Sequence, residues 1–184
     1  MLEALEIAEK RYSEEKKKAA SVRFLGRDYA VSPDGGISSP EAGDIPLKHK
    51  VLILHYLLSG PARETGELID FKGLPGGITY NPVFEGRVYS RLKAVFGGDH
   101  GLFKSCGEEL GASEAGMGDA ALKFEVFPGA ALFIILFSGD EEFSPACKIL
   151  FDSGIKEVFP TEDAIIICEE LSRKLTEVSK CLKR

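Results

Sequence analysis

The chain has 184 residues, enough for one domain with a sizeable core, and its 44% hydrophobic and 28% charged residues fit a folded protein, not a disordered or fibrous one. Its 29 acidic and 23 basic residues leave a formal net charge of -6, which repels nucleic-acid phosphates unless a local basic patch overcomes it. No stretch reaches the roughly 18 apolar residues of a membrane span, and "MLEALEIAEKRY" lacks the basic start and apolar run of a signal peptide, so a cytoplasmic protein is expected.

Leu2, Leu5, Ala8 and Tyr12 recur at helical spacing and predict a helix over about Leu2 to Ala20, peripheral to a single domain spanning 1–184. The run Lys16 to Lys18 is the nearest approach to a basic patch. Glu14 stands at helical spacing from Lys17 and Lys18, which makes the run a solvated, salt-bridged face. "SVRFLGRDYAVS" reads as a strand pair or bent strand turning near Gly26 and Arg27, and residues 33–43, rich in Gly, Pro and Ser, as a loop. With Asp44 as a cap and Pro46 in the first turn, "LKHKVLILHYLLSG" is a helix buried on most sides.

A short strand is expected from Glu67 to Phe71, ending at the Pro-Gly-Gly turn of "LPGG". The next helix is predicted to start with Asn81 as N-cap and Pro82 as its first residue, and to stop at Gly97. Asp99 caps a further short helix that closes at Gly111, and "ASEAGMGD" is a loop delivering Asp119 to the sheet region. Phe124 and Val126 alternate with charges in one strand, and Ala131 to Phe137, apolar on both faces, is a central covered strand. A strand from Phe143 to Phe151 follows. The last helix is expected to be capped by Thr161, with Ala164, Ile167 or Cys168, Leu171 and Leu175 inward and Glu170, Arg173, Lys174 and Glu177 facing solvent. Helices preceding a run of hairpin-linked strands, with one closing helix, make the class α+β with a mainly antiparallel sheet.

Among catalytic and nucleotide motifs, no G-x-x-x-x-G-K-[ST], G-x-S-x-G or H-E-x-x-H occurs, and "GMGDAA" holds only the first part of a dinucleotide loop. Cys106, Cys147, Cys168 and Cys181 lie far apart with no C-x-x-C pair, so they read as reduced thiols and not as metal ligands. His55, inside the apolar helix, reads as a satisfied buried or interface histidine, with axial ligation of a metal or tetrapyrrole as the sharper alternative. Gly139 and Asp140 suit a two-residue hairpin loop. That register would set Glu142 opposite Phe137 on a covered face, where a carboxylate must pair, accept hydrogen bonds or take up a proton.

The segments "FLGRDYAVS", "LHYLL", "FKGLPGGITYNPVFEGRV", "AVFGG", "GMGDAALKFEVFPGAALFIILFSGDEEFSPACKILFD" and "PTEDAIIICEELSRKL" resemble a prokaryotic family known as domain of unknown function 3786. Some of its members look like fusions to a four-cysteine iron-sulfur domain of the corrinoid-protein type. The resemblance therefore implies an accessory role in anaerobic redox or one-carbon metabolism, with a redox or corrinoid protein as partner and a corrinoid or other tetrapyrrole as candidate ligand. This chain begins with a charged, cysteine-free helix, so a cluster would sit on the partner.

On that reading the "LPGG" turn and the "GDEEF" hairpin line one recognition edge, formed by Pro75, Gly76, Gly77, Tyr80, Arg87, Asp119, Glu142 and Phe143, with Arg87 as the cation of the acidic edge. A second reading is an enzyme or hard-metal site using Glu142 with Asp119 or Asp152. A third is a structural homo-oligomer that buries the helix around Val51 to Leu58.

Overall fold

The computed structural model describes residues 1–15, 18–41 and 43–183. Helix α1, Leu2–Glu14, buries Leu5, Ala8 and Tyr12. It is shorter than expected: beyond it the chain turns back, the Tyr12 hydroxyl donates to the Lys18 carbonyl at 3.1 Å, and Ala20 opens a strand. Lys16 and Lys17 of the basic run lie outside the described residues, and Lys18 follows the helix instead of continuing it.

Strands β1 (Ala20–Phe24), β2 (Arg27–Val31) and β3 (Ile37–Ser38) form a small antiparallel sheet, so the expected loop over 33–43 contains a short strand. The β1–β2 turn is Leu25-Gly26 with φ of 47° and 78°, the two left-handed positions of a tight primed hairpin. Helix α2, Leu47–Ser59, follows Pro46 without the side-chain cap expected of Asp44.

The larger sheet has the order β4-β8-β7-β6-β5, antiparallel throughout: β4 Leu68–Asp70, β5 Ser113–Glu114, β6 Ala120–Phe127, β7 Ala130–Phe137 and β8 Ala146–Asp152. The α+β class holds, and β7 is central, as its two apolar faces require. At the β6–β7 turn, a Cβ on Gly129 would meet the Ala62 carbonyl oxygen at 2.2 Å, so no side chain fits there.

Between β4 and β5 the chain is helical. Helix α3, Gly77–Phe84, widens into a turn over Glu85–Tyr89 and continues as α4, Ser90–Phe96; α5, His100–Glu109, follows. The expected start at Asn81 and Pro82 is corrected: the helix begins at the Leu74–Gly77 turn and runs through Pro82. A proline cannot donate to the carbonyl one turn back and crowds it, and the helix loosens just beyond. Asn81 donates to Glu85 at 2.7 Å instead of capping. Asp99 does cap, accepting from the Leu102 amide at 2.9 Å.

Helix α6, Thr161–Leu182, closes the chain with Ala164, Ile167, Cys168, Leu171 and Leu175 buried. Thr161 is not its cap; its hydroxyl donates to the Pro75 carbonyl at 2.6 Å and ties the "LPGG" turn to the start of the helix. Phe24, Phe127, Tyr56 and Phe159 stack into an aromatic column that joins β1, β6, α2 and the entry to α6. Among the described residues no helix is long and apolar enough to cross a membrane.

Asp152, 3% exposed at the end of β8, accepts from the amides of Thr65, Gly66 and Gly154 and from the Thr65 hydroxyl. Burial alone would raise its pKa, but these donors outweigh burial and lower it. A group held below its ordinary value contributes stability above that value and loses it as acid protonates the carboxylate. Asp152→Asn is expected to cost on the order of 2 kcal/mol in urea unfolding at neutral pH, because one amide oxygen cannot serve four donors. The gap should narrow as pH falls below 3.8.

Candidate functional site

The loop from Ser138 to Pro145 connects β7 to β8 and overturns the two-residue hairpin expected at Gly139-Asp140. Pro145 has no N–H to give the ladder, so pairing stops at Phe137 with Ala146. Asp140 makes a local turn instead, accepting from the amides of Glu142 at 2.8 Å and Phe143 at 2.7 Å. Glu142 is consequently exposed, not set against Phe137 on a covered face, and Phe143 is 69% exposed. Asp119 sits at the same end of the sheet, accepting from the Ser138 amide at 2.7 Å, a bond that lowers its pKa. With Gly97, Gly98 and His100 the loop encloses an open cleft of about 630 Å³.

The other expected site residues lie elsewhere. Pro75, Gly76 and Gly77 form the turn at the far end of the α3–α4 rod, whose last residues adjoin Pro145, so roughly 20 helical residues, about 30 Å, separate the "LPGG" turn from the acidic loop. The two do not share one edge. Tyr80 is exposed on α3, and Arg87 reaches Glu169 of α6 at 3.2 Å instead of the acidic loop. Asp152 is at the opposite end of β8 from Glu142, about 20 Å along the strand. Glu142 and Asp152 therefore cannot act on one substrate atom.

A more strongly constrained constellation lies between α2 and α6. Glu170, expected in solvent, is 1% exposed. Its carboxylate accepts from His49 Nε2 at 2.7 Å and Arg173 at 2.9 Å and contacts Lys48. Seven residues earlier on the same face, Asp163 accepts from His55 Nδ1 at 2.6 Å, so His55 is held by a carboxylate. The crossed numbering of these two pairs makes the helices antiparallel. Burial would raise the pKa of Glu170, but the hydrogen bonds from His49, Arg173 and Lys48 overcome it and hold the group well below the usual carboxylate range.

His49 and Arg173, two of the partners of Glu170, line a cleft of about 680 Å³, bounded by the β1–β2 turn, the approach to α2, the end of α5 and one face of α6. Of the four cations that line it, Arg27, Arg173 and Lys174 crowd together. Arg173 bonds Glu170 and Glu177; Arg27 stands beside the buried Tyr29 hydroxyl, with no carboxylate in ion-pair range among the described residues; Lys174 donates to the Leu25 carbonyl at 2.8 Å. Burial, then the nearby Arg27 and Arg173, bring the Lys174 pKa down to about 8. Such strain on a charged group in a cleft is a physical mark of a functional site.

The acids could have been suspected from sequence, because Asp163, Glu170 and Lys174 share one helical stripe beside the apolar one. The role of His49 and Arg27 had no local signal. All four cysteines are free; Cys106 and Cys168 are buried, and burial pushes the Cys147 thiol up to about 12, which leaves it unreactive. Among the described residues no group of three or more His, Cys, Asp or Glu could hold a metal ion.

Two stability outcomes follow from this geometry. Glu170→Gln is expected to cost on the order of 3 kcal/mol, since it strands cations around a buried amide, whereas Glu142→Gln on the exposed loop should change stability by less than about 0.5 kcal/mol in denaturant titrations. Lys174→Met should raise the melting temperature at neutral pH. The folded state disfavours the Lys174 proton, so wild-type stability should climb toward the variant's as pH rises from about 8 to 10.5.

No curated protein and no solved structure matches the chain. The family model described as "Domain of unknown function (DUF3786)" matches residues 2–174, nearly the whole chain, and the protein belongs to that family.

Proposed function

We propose that the protein is a binding module for a small ligand, which it holds by an anionic group in the cleft between the β1–β2 turn and α6. The observation that carries this reading is the convergence of Arg27, Arg173 and Lys174 on one wall. Glu170, the buried carboxylate that Arg173 bonds, already serves His49, Lys48 and Arg173, and so leaves Arg27 and Lys174 without a full countercharge. A carboxylate or phosphate would supply it by charge-assisted hydrogen bonds, bidentate at a guanidinium. The cleft's volume falls in the range of small-molecule sites, roughly 300–1,000 Å³.

Calorimetric titration at low ionic strength with acetate, butyrate and inorganic phosphate tests the reading. Saturable binding of at least one of them is expected, weakened about tenfold or more by Arg27→Ala, whose side chain is exposed and not needed for the core. Absence of binding by all three, or equal binding by the variant, would remove it.

A second reading keeps the redox or corrinoid protein partner implied by the family resemblance. The observation in its favour is the apolar Ile78, Tyr80 and Val83, which stand 75%, 42% and 45% exposed just after the "LPGG" turn. A corrinoid macrocycle itself would call for an apolar slot, and the two clefts described above are walled mainly by charged and polar residues.

A further inference from the structure

The cleft between the β1–β2 turn and α6 has a second charged wall, opposite in sign. Glu108 and Glu109 occupy the last turn of α5, where the helix dipole is negative and where no basic residue accompanies them. Carboxylates at that end of a helix are repelled by the dipole. Glu41 and Asp44, on the approach to α2, line the same cleft. None of these four acids has a cation within ion-pair range among the described residues, although Lys174 and Arg173 line the same space. The cations are turned to Glu170, Glu177 and the Leu25 carbonyl, so the two walls do not neutralise each other by direct contact.

An independent feature of this space is an unpartnered polar side chain. His49, 4% exposed, lines the cleft with Nε2 committed to Glu170, and its Nδ1 is buried with no hydrogen-bond partner among the described residues. Buried polar atoms in folded proteins are almost always paired, so an orphan nitrogen calls for a further hydrogen-bonding group.

We infer that the ligand of this cleft is a small zwitterion of the amino-carboxylate class, its anionic group on Arg27, Arg173 and Lys174 and its ammonium group on Glu108 and Glu109. This rests on the anion-binding reading above and adds the second anchor. A ligand carrying one charge would satisfy one wall and leave the other repelling itself. A ligand carrying both relieves the like-charge repulsion on each side, and the separation of the walls selects for the distance between its charged ends. Specificity of this kind comes from polar groups left unpaired when the wrong ligand binds.

Matched probe pairs test the inference by calorimetry on the full chain: γ-aminobutyrate against butyrate, ε-aminocaproate against caproate, and glycylglycine against N-acetylglycine. In at least one pair the amine-bearing member is expected to bind about tenfold more tightly or better. The double variant Glu108→Gln, Glu109→Gln, altered only at exposed positions, should abolish that preference while binding the amine-free member at least as tightly as the wild type does, because two charges that repel an anion are gone. Equal affinities within every pair, or a preference that survives in the double variant, would overturn the zwitterion while the anion-binding reading stood. Failure of every carboxylate and of inorganic phosphate to bind would overturn both.

Discussion

The buried carboxylate of Glu170 is the constraint around which this half of the molecule is arranged. A charge removed from water must be met by donors, and here they arrive from two elements: His49 and Lys48 from α2 and Arg173 from α6 itself. Meeting that requirement fixes the spacing and antiparallel direction of the two helices, with the His55–Asp163 pair as a second rung. The His49 ring in turn stands edge-on to Phe24, and Phe24 stacks on Phe127. One polar contact is thereby coupled to the aromatic column that joins the small sheet to the large one.

The cleft is a by-product of this arrangement. Because Glu170 draws cations inward and the Leu25-Gly26 turn brings its carbonyl over α6, Lys174 is held beside Arg27 and Arg173 in partial burial, a position that lowers its affinity for a proton. Nothing in folding itself favours such crowding of like charges. The acidic loop at the other end of the molecule differs in this respect. Its carboxylates project into water, and Asp140 is occupied in shaping its own turn.

Family membership and the polarity of the clefts bear on different levels of description. Membership says that the fold is shared across a set of chains. What the cleft can hold is a matter of the side chains that line it, and those are mainly charged and polar.

Local chemistry made several features legible from the sequence. The two apolar faces of Ala131–Phe137 required a central strand, Asp99 ahead of an amphipathic segment required a cap, and strands linked by short turns required an antiparallel sheet. The sequence did not disclose that Pro145 would end the β7–β8 ladder early, because a Gly-Asp pair favours a tight hairpin until a non-donating residue and a competing side-chain turn remove it. Nor could it place Glu170. Polar residues on a long helix face water by default, and only the approach of a second helix 121 positions away in sequence turns that face into an interior. What the sequence by itself determined is the longer helices and strands, through periodicities that act over a few residues. Which charges meet was decided by the tertiary structure, because the energy of a buried ion pair depends on distance and desolvation between segments that share no local signal.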